Sequence, residues 1–124
     1  MQVASLFMVV AVVLGAMGAH WLREKITMQQ LESFHKGVEY QIYHSIALLF
    51  LSLIPTDRIK TDRLNKIFWL FVLGIIFFSG SIYLLAIRDL IGIQKAVVVL
   101  GPMTPVGGLF FISGWILLFF SIKK

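Results

Sequence analysis

The chain has 124 residues, a net charge of +5 and a hydrophobic fraction of 59%. Soluble domains are about 45–50% apolar, and a soluble chain this short could not bury the excess in one core. We therefore expect much of the apolar surface to face lipid. The absence of cysteine excludes disulfides, cysteine-ligated metal sites and thiol catalysis. The basic residues lie in short loops without interleaved aromatic residues, which indicates membrane topology and not a nucleic-acid surface.

The first apolar segment predicts a transmembrane helix over residues 3–21. A charged run from Arg23 to Lys25 follows it. Because no lysine or arginine precedes Arg23, the segment lacks the basic start of a signal peptide, and we expect it to be retained as a helix.

The second helix is predicted to begin outside the hydrocarbon. Thr27 and Gln30 have the spacing of a capping box, in which each side chain bonds the backbone amide of the other residue. The helical repeat of apolar positions that follows predicts an amphipathic interfacial segment over residues 27–39. The chain then becomes wholly apolar, which predicts a second span over residues 40–54 that ends before Pro55.

The third span is predicted over residues 67–87 and the fourth over residues 105–122. Thr104 is the expected N-cap of the fourth helix, with Pro105 at its first helical position. Between these spans, residues 88–103 are predicted to form a loop whose apolar part lies in the interface or folds back against the bundle.

Together these elements predict one integral-membrane domain over residues 1–124. Its fold class is an all-α membrane protein, with four transmembrane helices in a compact bundle and an amphipathic interfacial segment before the second span. Four spans place both termini on the same side as loop 55–66. That side carries six Lys and Arg residues and the other side five, so the count alone does not orient the chain. The dense basic cluster of the loop favours both termini in the cytoplasm.

Small residues recur along three of the spans at positions that suit close helix contact. In lipid, helices associate by tight packing, so small side chains mark contact faces. We expect packing within the bundle, or self-association, at Ala11, Gly15, Ala19, Gly74, Gly80, Gly107, Gly108 and Gly114.

Polar residues and a proline-rich turn form the candidate site. Alternating spans bring the end of the first helix, the start of the second span and the turn before the fourth span to one end of the bundle. We expect this to be the extracytoplasmic end. Within the second helix, Gln41, His44 and Ser45 share a face. The candidate residues are His20, Tyr40, Gln41, Tyr43, His44, Ser45, Gly101, Pro102, Thr104 and Pro105.

Three interpretations of this cluster remain open. In the first, its side chains form interhelical hydrogen bonds, each worth about 0.6–2 kcal/mol. In the second, they line a site for a ligand or a lipid headgroup. In the third, His20 and His44 lie at similar depth on antiparallel helices and ligate a haem or a metal.

The sequence predicts no catalytic set. No serine lies in a nucleophile-elbow pattern, and no pair of carboxylates falls inside a span. A proton-coupled transporter usually needs an acid in mid-span, and the nearest one, Glu39, falls one residue outside the apolar run. We therefore expect a non-enzymatic protein without a metal, and without a cofactor unless the histidine pair binds haem.

Four segments resemble an uncharacterised family of small four-span bacterial membrane proteins. They are GAMGAHWL (15–22), FHKGVEYQIYHSIALLF (34–50), FSGSIYLLAI (78–87) and GPMTPVGGLFFISGW (101–115). The family is known as domain of unknown function four-two-three and is related to a small animal transmembrane protein. The resemblance implies four helices in a bacterial inner membrane and no established activity. Trp21 departs from the family pattern, in which a small residue is expected.

These features predict an accessory subunit or small scaffold in a membrane complex. Its partners would be the lipid bilayer, other membrane proteins or further copies of the chain, and no nucleic acid. The alternative is a ligand-, lipid- or haem-binding membrane protein that uses His20 and His44.

Overall fold

The computed structural model describes residues 1–122, and every regular element in that part of the chain is helical. Three stretches of it are long and apolar enough to cross a membrane, namely Gln2–Glu24, Thr61–Ala86 and Gln94–Ser121. An all-helical protein of membrane type is therefore confirmed. The α-helices are α1 (Gln2–His20), α2 (Met28–Leu51), α3 (Thr61–Gly74), α4 (Ser81–Ala86), α5 (Arg88–Ile91) and α6 (Val97–Ser121).

The helices α3 and α4 are two parts of one continuous stretch, Thr61–Ala86, which we call the third long helix. A π-helical segment, Ile75–Gly80, joins them. Such segments are rare and often occur where the surroundings impose them. Here the Ser79 Oγ donates a hydrogen bond to the Gly37 carbonyl of α2 at 2.7 Å. The apolar pattern of the sequence did not predict the π-helical segment.

The predicted start of α2 is confirmed. Thr27 is its N-cap, and its Oγ1 accepts a hydrogen bond from the Gln30 amide at 3.2 Å. In return, the Gln30 Oε1 accepts one from the Thr27 amide at 3.0 Å. Such a reciprocal pair satisfies backbone donors that the helix itself cannot satisfy. From there α2 continues without a break to Leu51, and it ends before Pro55 as predicted.

The predicted start of the last helix is wrong. α6 begins at Val97 and passes through Pro102 and Pro105, so Thr104 is not an N-cap and Pro105 is not in the first turn. A proline inside a helix removes one amide donor, which usually favours a break. Packed neighbours and nearby Ser or Thr side chains compensate for this loss in membrane helices. Within α6, the apolar run 97–100 can bond its own backbone, which explains why it does not form a loop.

The predicted loop 88–103 is also wrong, because most of it is helical. α5 follows the third long helix after one residue. Gly92 ends α5 with a φ of 72°, a left-handed conformation that glycine adopts without strain. A 3-10 turn, Gln94–Ala96, then leads directly into α6. The connection is therefore short and ordered.

α1 and α2 pack side by side and run antiparallel. A Cβ atom on Gly18 would lie 3.0 Å from the ring of Phe34, so α1 approaches α2 closely at this end. At the opposite end, Ala4 shares a hydrophobic cluster with Leu48. These pairs set the register, and they place the C-terminal end of α1 level with about residue 32 of α2.

The third long helix and α6 approach each other more closely still. A Cβ atom on Gly114 would lie 2.6 Å from the ring of Phe71, and one on Gly107 would collide with the backbone of Phe78. A Cβ atom on Gly74 would likewise meet the ring of a phenylalanine of α6. These three predicted packing glycines therefore sit where two helices touch, as the small-residue rule for membrane helices requires.

The other predicted packing residues fall into two groups. Ala11 is fully buried, and a Cβ atom on Gly15 would lie 3.4 Å from α2. A Cβ atom on Gly108 would be at an ordinary contact distance from the third long helix. Ala19 is exposed near the end of α1. A Cβ atom on Gly80 would meet nothing within 4 Å, because that side of the π-helical segment faces open space. Ala19 and Gly80 are therefore not at tight helix contacts.

The four long helices overlap along the bundle axis over one range of positions, which we call the common slab. It covers approximately residues 2–20, 32–50, 68–86 and 99–117, matched through the contacts between helices. Such a length of helix spans about 28 Å, close to the roughly 30 Å of bilayer hydrocarbon. Gln41 thus lies at mid-level, and not at the end of the bundle where the sequence predicted the polar cluster. The reason is that α1 packs against α2 from Phe34 onward, which brings the amphipathic half of α2 into the slab.

Candidate functional site

Gln41 ties three helices together at the centre of the bundle. Its side chain is 2% exposed. The Nε2 atom donates a hydrogen bond to the Phe7 carbonyl of α1 at 2.8 Å, and the Oε1 atom accepts one from the Tyr83 hydroxyl of α4 at 2.7 Å. Its own carbonyl accepts a bond from the Ser45 hydroxyl at 2.6 Å. A buried amide with both ends satisfied across helices acts as an interhelical link.

The imidazole of His44 is enclosed by aromatic rings and is 5% exposed. It stacks on Phe111 with ring centroids 3.5 Å apart and an interplanar angle of 11°. Its Nδ1 atom lies 2.8 Å from the Tyr40 carbonyl, and its Nε2 atom lies 3.1 Å from the Trp115 Nε1 atom. Because a carbonyl can only accept and an indole N–H can only donate, the ring is neutral with its proton on Nδ1. Both nitrogens are therefore engaged.

Replacing His44 by phenylalanine is expected to lower the free energy of unfolding by about 1–3 kcal/mol. Phenylalanine keeps an aromatic ring in the stack, but it leaves the part-buried Trp115 indole N–H without the acceptor that lies 3.1 Å away. The measurement is an unfolding titration in mixed detergent followed by circular dichroism. His20→Phe is the matched control, because His20 is exposed, and its effect should stay within about 0.5 kcal/mol. Equal effects of the two substitutions would contradict the role given to His44.

A second polar contact joins the third long helix to α6. The Ser81 hydroxyl lies 2.6 Å from the Thr104 hydroxyl and 3.0 Å from the Phe78 carbonyl. Ser81 has a single hydroxyl proton, which the carbonyl takes, so Thr104 is the donor to Ser81. Thr104, which was predicted as a helix cap, thus donates a hydrogen bond to the neighbouring helix from the position just before Pro105.

The two histidines of the predicted site, His20 and His44, lie far apart. His20 is exposed at the end of α1, and by the helix register it is about 18 Å along the bundle from the level of His44. Both nitrogens of His44 bond within the protein. The geometry therefore does not fit a haem held by this histidine pair. Of the two tyrosines, Tyr43 is 56% exposed on the outer face of α2, and the ring of Tyr40 packs on Phe78 at 4.7 Å.

Several partners in these contacts were not predicted from the sequence. Tyr83, Trp115 and Gly37 are not among the candidate site residues that the sequence predicts. A Cβ atom on Gly37 would lie 2.8 Å from the Tyr83 ring, so this glycine admits the tyrosine toward Gln41. The signal that could have identified them is a hydroxyl or indole donor inside an apolar span, which must find an acceptor on another helix.

A cavity of about 740 Å³ opens on the side of the bundle, and we call it the lateral cavity. It lies between the first half of α2, the helices α4 and α5, and the first turns of α6. Gly101 and Thr104 line it, but the other predicted site residues do not. Its other polar lining includes Gln30, Lys36, Arg88 and Asp89, and its apolar lining includes Ile82, Leu85 and Val97.

The charged groups of the lateral cavity are held by specific contacts. The Gln30 Nε2 atom donates a hydrogen bond to Asp89 Oδ2 at 2.8 Å, which ties α5 to α2. The Arg88 Nη1 atom donates one to the Leu85 carbonyl at 2.7 Å. Lys36 forms an ion pair at 2.8 Å with Glu39, one helical turn further along α2. Gln30 thus serves both as part of the capping box and as a bridge to the cavity.

Comparison with known proteins assigns the chain to a family. The model for a family described as "Protein of unknown function (DUF423)" matches residues 14–108. UPF0382 membrane protein SH2409 of Staphylococcus haemolyticus is 38% identical over 110 residues, which cover 89% of this chain and 83% of the relative. UPF0382 membrane protein YwdK of Bacillus subtilis is 35% identical over 114 residues, 92% of this chain and 87% of the relative.

A third relative comes from Haemophilus influenzae. This UPF0382 membrane protein is 38% identical over 113 residues, 91% of this chain and 84% of the relative. No solved structure matches the chain. The family model covers most of the helical bundle, including α2 and the lateral cavity. The chain therefore belongs to the DUF423 family of bacterial membrane proteins, whose function is unknown.

Proposed function

We propose that this protein is a non-enzymatic, four-span protein of the bacterial inner membrane that works by association, as a scaffold or accessory subunit. In this proposal both termini lie in the cytoplasm, and the lateral cavity opens at the opposite side of the membrane. The engagement of the polar groups supports this role. Within residues 1–122, each buried side-chain nitrogen and oxygen has a hydrogen-bond partner, which is what interhelical polar contacts of a structural bundle require.

The register of the bundle supports α2 as the fourth span. Residues 32–50 of α2 run beside the full length of α1 and share its levels in the common slab. Their buried side is apolar apart from the bonded Gln41, His44 and Ser45. What separates α2 from the other three long helices is its outer face.

The observation that carries the proposal is a charged outer face on α2 inside the common slab. We call Glu32, His35, Lys36, Glu39 and Tyr43 the α2 polar face. The side chains of Lys36 and Glu39 are 64% and 43% exposed. By the helix rise, these residues lie about 6 and 10 Å inside the slab. Placing a charge at the centre of a membrane helix costs about 2.5–3.5 kcal/mol on insertion scales, so a protein surface is the better neighbour.

The occupant that best fits the α2 polar face is a second copy of the chain. The face carries both a cation and an anion one helical turn apart, so it complements itself. A two-fold axis along the membrane normal would place the two α2 helices parallel, with Lys36 of one copy about one helical turn from Glu39 of the other. Closed two-fold contacts of this kind are the commonest in homo-oligomers.

The absence of cysteine from the chain gives a direct test. A two-fold contact places each residue of the α2 polar face near its own copy, so His35→Cys is expected to form a disulfide-linked dimer when native membranes are oxidised. Val99→Cys is the control, because Val99 is 64% exposed at a similar level on α6, away from the face. It is expected to stay monomeric.

A crosslinking result in which His35→Cys stays monomeric, although the variant is inserted and folded, would contradict the self-complementary contact. Equal dimer yields from the two cysteine variants would also contradict it, because they would reflect random collision in the bilayer. A disulfide-linked adduct of another mass would show that a different protein covers this face, and would overturn the choice of a second copy.

A further inference from the structure

We propose that the lateral cavity binds a phosphate group, supplied by the headgroup of an anionic membrane lipid. The cavity shares Lys36 with the α2 polar face, but its main recognition group, Arg88, lies outside that face. The proposal rests on the size of the cavity, on its two cationic side chains and on its position at one edge of the common slab. Its volume of about 740 Å³ can hold a headgroup and the start of the acyl chains.

Arg88 is the main recognition group of the cavity. One of its five N–H donors is used on the Leu85 carbonyl, and this bond holds the guanidinium at the cavity wall. Lys36–Glu39 is the one ion pair within residues 1–122, so no carboxylate neutralises Arg88 there. A planar guanidinium with free, parallel donors matches the oxygens of a phosphate.

The remaining charges of the cavity are Lys36 and Asp89. Lys36 is a second cation on the α2 wall and is paired with Glu39, while Asp89 is the one carboxylate among the lining residues. The Asp89 carboxylate accepts a hydrogen bond from Gln30, which draws it toward α2. Both of these charges are thus held by neighbouring side chains, which leaves the Arg88 guanidinium to face an anion.

The position of the cavity indicates a lipid and not a soluble phosphate. Arg88 lies two residues beyond the slab edge, at the level where headgroups sit. Ile82 and Leu85 of α4 and Val97 of α6 form an apolar wall, which suits acyl chains. A site with a charged rim and an apolar wall binds an amphiphile better than a free ion.

The test uses the full-length protein in mild detergent, with short-chain phosphatidylglycerol as the probe and native mass spectrometry as the readout. Arg88→Gln is expected to weaken lipid binding about tenfold or more, since it removes a charge-assisted contact. Arg88→Lys keeps the charge and should bind within a few-fold of the unsubstituted protein. Lys60→Gln, in the basic loop at the opposite end, is the control and should bind with unchanged affinity.

The inference is overturned if Arg88→Gln binds phosphatidylglycerol as tightly as the unsubstituted protein, or if Lys60→Gln loses as much. Should Arg88→Gln fail to fold, Lys36→Gln replaces it, because the exposed Lys36 can be changed without disturbing the core. Inorganic phosphate and phosphatidylcholine form the two other arms. Binding of inorganic phosphate as tightly as the lipid would assign the site to a soluble anion, and equal binding of phosphatidylcholine would remove the preference for anionic lipid.

Discussion

Replacing Gly107 by alanine is expected to destabilise the bundle by about 3 kcal/mol or more. A Cβ atom there would lie 2.7 Å from the Cα atom of Phe78, and this obstacle is backbone that cannot rotate away. The third long helix and α6 would have to separate, which also loosens the neighbouring glycine contacts. The measurement is the free energy of unfolding from a denaturing-detergent titration of the purified protein.

The neighbouring glycine provides a matched control for this substitution. At Gly108 the nearest atom to a new Cβ would be 3.9 Å away, an ordinary contact distance. Alanine also favours a helix over glycine by about 1 kcal/mol, so Gly108→Ala should be neutral or slightly stabilising. If Gly107→Ala and Gly108→Ala had the same effect, the close approach of α6 to the π-helical segment would be refuted.

Replacing Gln41 by leucine is expected to lower the free energy of unfolding by about 2–4 kcal/mol. The substitution removes two interhelical hydrogen bonds, each worth about 0.6–1.7 kcal/mol in a membrane protein. It also leaves the part-buried Tyr83 hydroxyl without its acceptor, which costs about 1–3 kcal/mol. The substituted protein should remain helical and become easier to unfold in the same detergent titration.

Tyr83→Phe separates the two causes of the Gln41→Leu effect. In the double variant the stranded hydroxyl is absent, so the second substitution should cost less in the Gln41→Leu protein than in the unsubstituted one. A coupling energy of about 1 kcal/mol is expected from this bond. Strict additivity of the two substitutions would show that the Tyr83–Gln41 bond contributes nothing to stability.

The helices that were predicted correctly depend on local signals. Thr27 and Gln30 are three residues apart and form the capping box by themselves, so the start of α2 could be predicted from the sequence. Pro105 also has a local meaning, as a residue that suits the first turn of a helix. The helix nevertheless does not start at Pro105, because contacts of Gly107 and Thr104 with the third long helix stabilise α6 through this region. A neighbouring helix overrode the local preference.

The polar cluster was predicted in part. The shared face of Gln41, His44 and Ser45 follows from helical spacing, and all three are buried. Their level in the bundle was not predicted, because it depends on how α1 and α2 slide against each other. Contacts between residues far apart in the sequence could not be predicted either. Gln30 and Asp89 are separated by 59 positions, and nothing local to either residue indicates the other.

The π-helical segment Ile75–Gly80 has a consequence for the order in which the protein is made. Membrane helices insert first and associate afterwards. Alone in the bilayer, the third long helix has neither the Gly37 carbonyl nor α6 beside it, so regular α-helical bonding is expected along its whole length. The wider turn then arises when its partners arrive, and it rotates Ser81 toward Thr104 and Tyr83 toward Gln41. Biogenesis of this protein would thus end with a helix that rewinds in place after it has crossed the membrane.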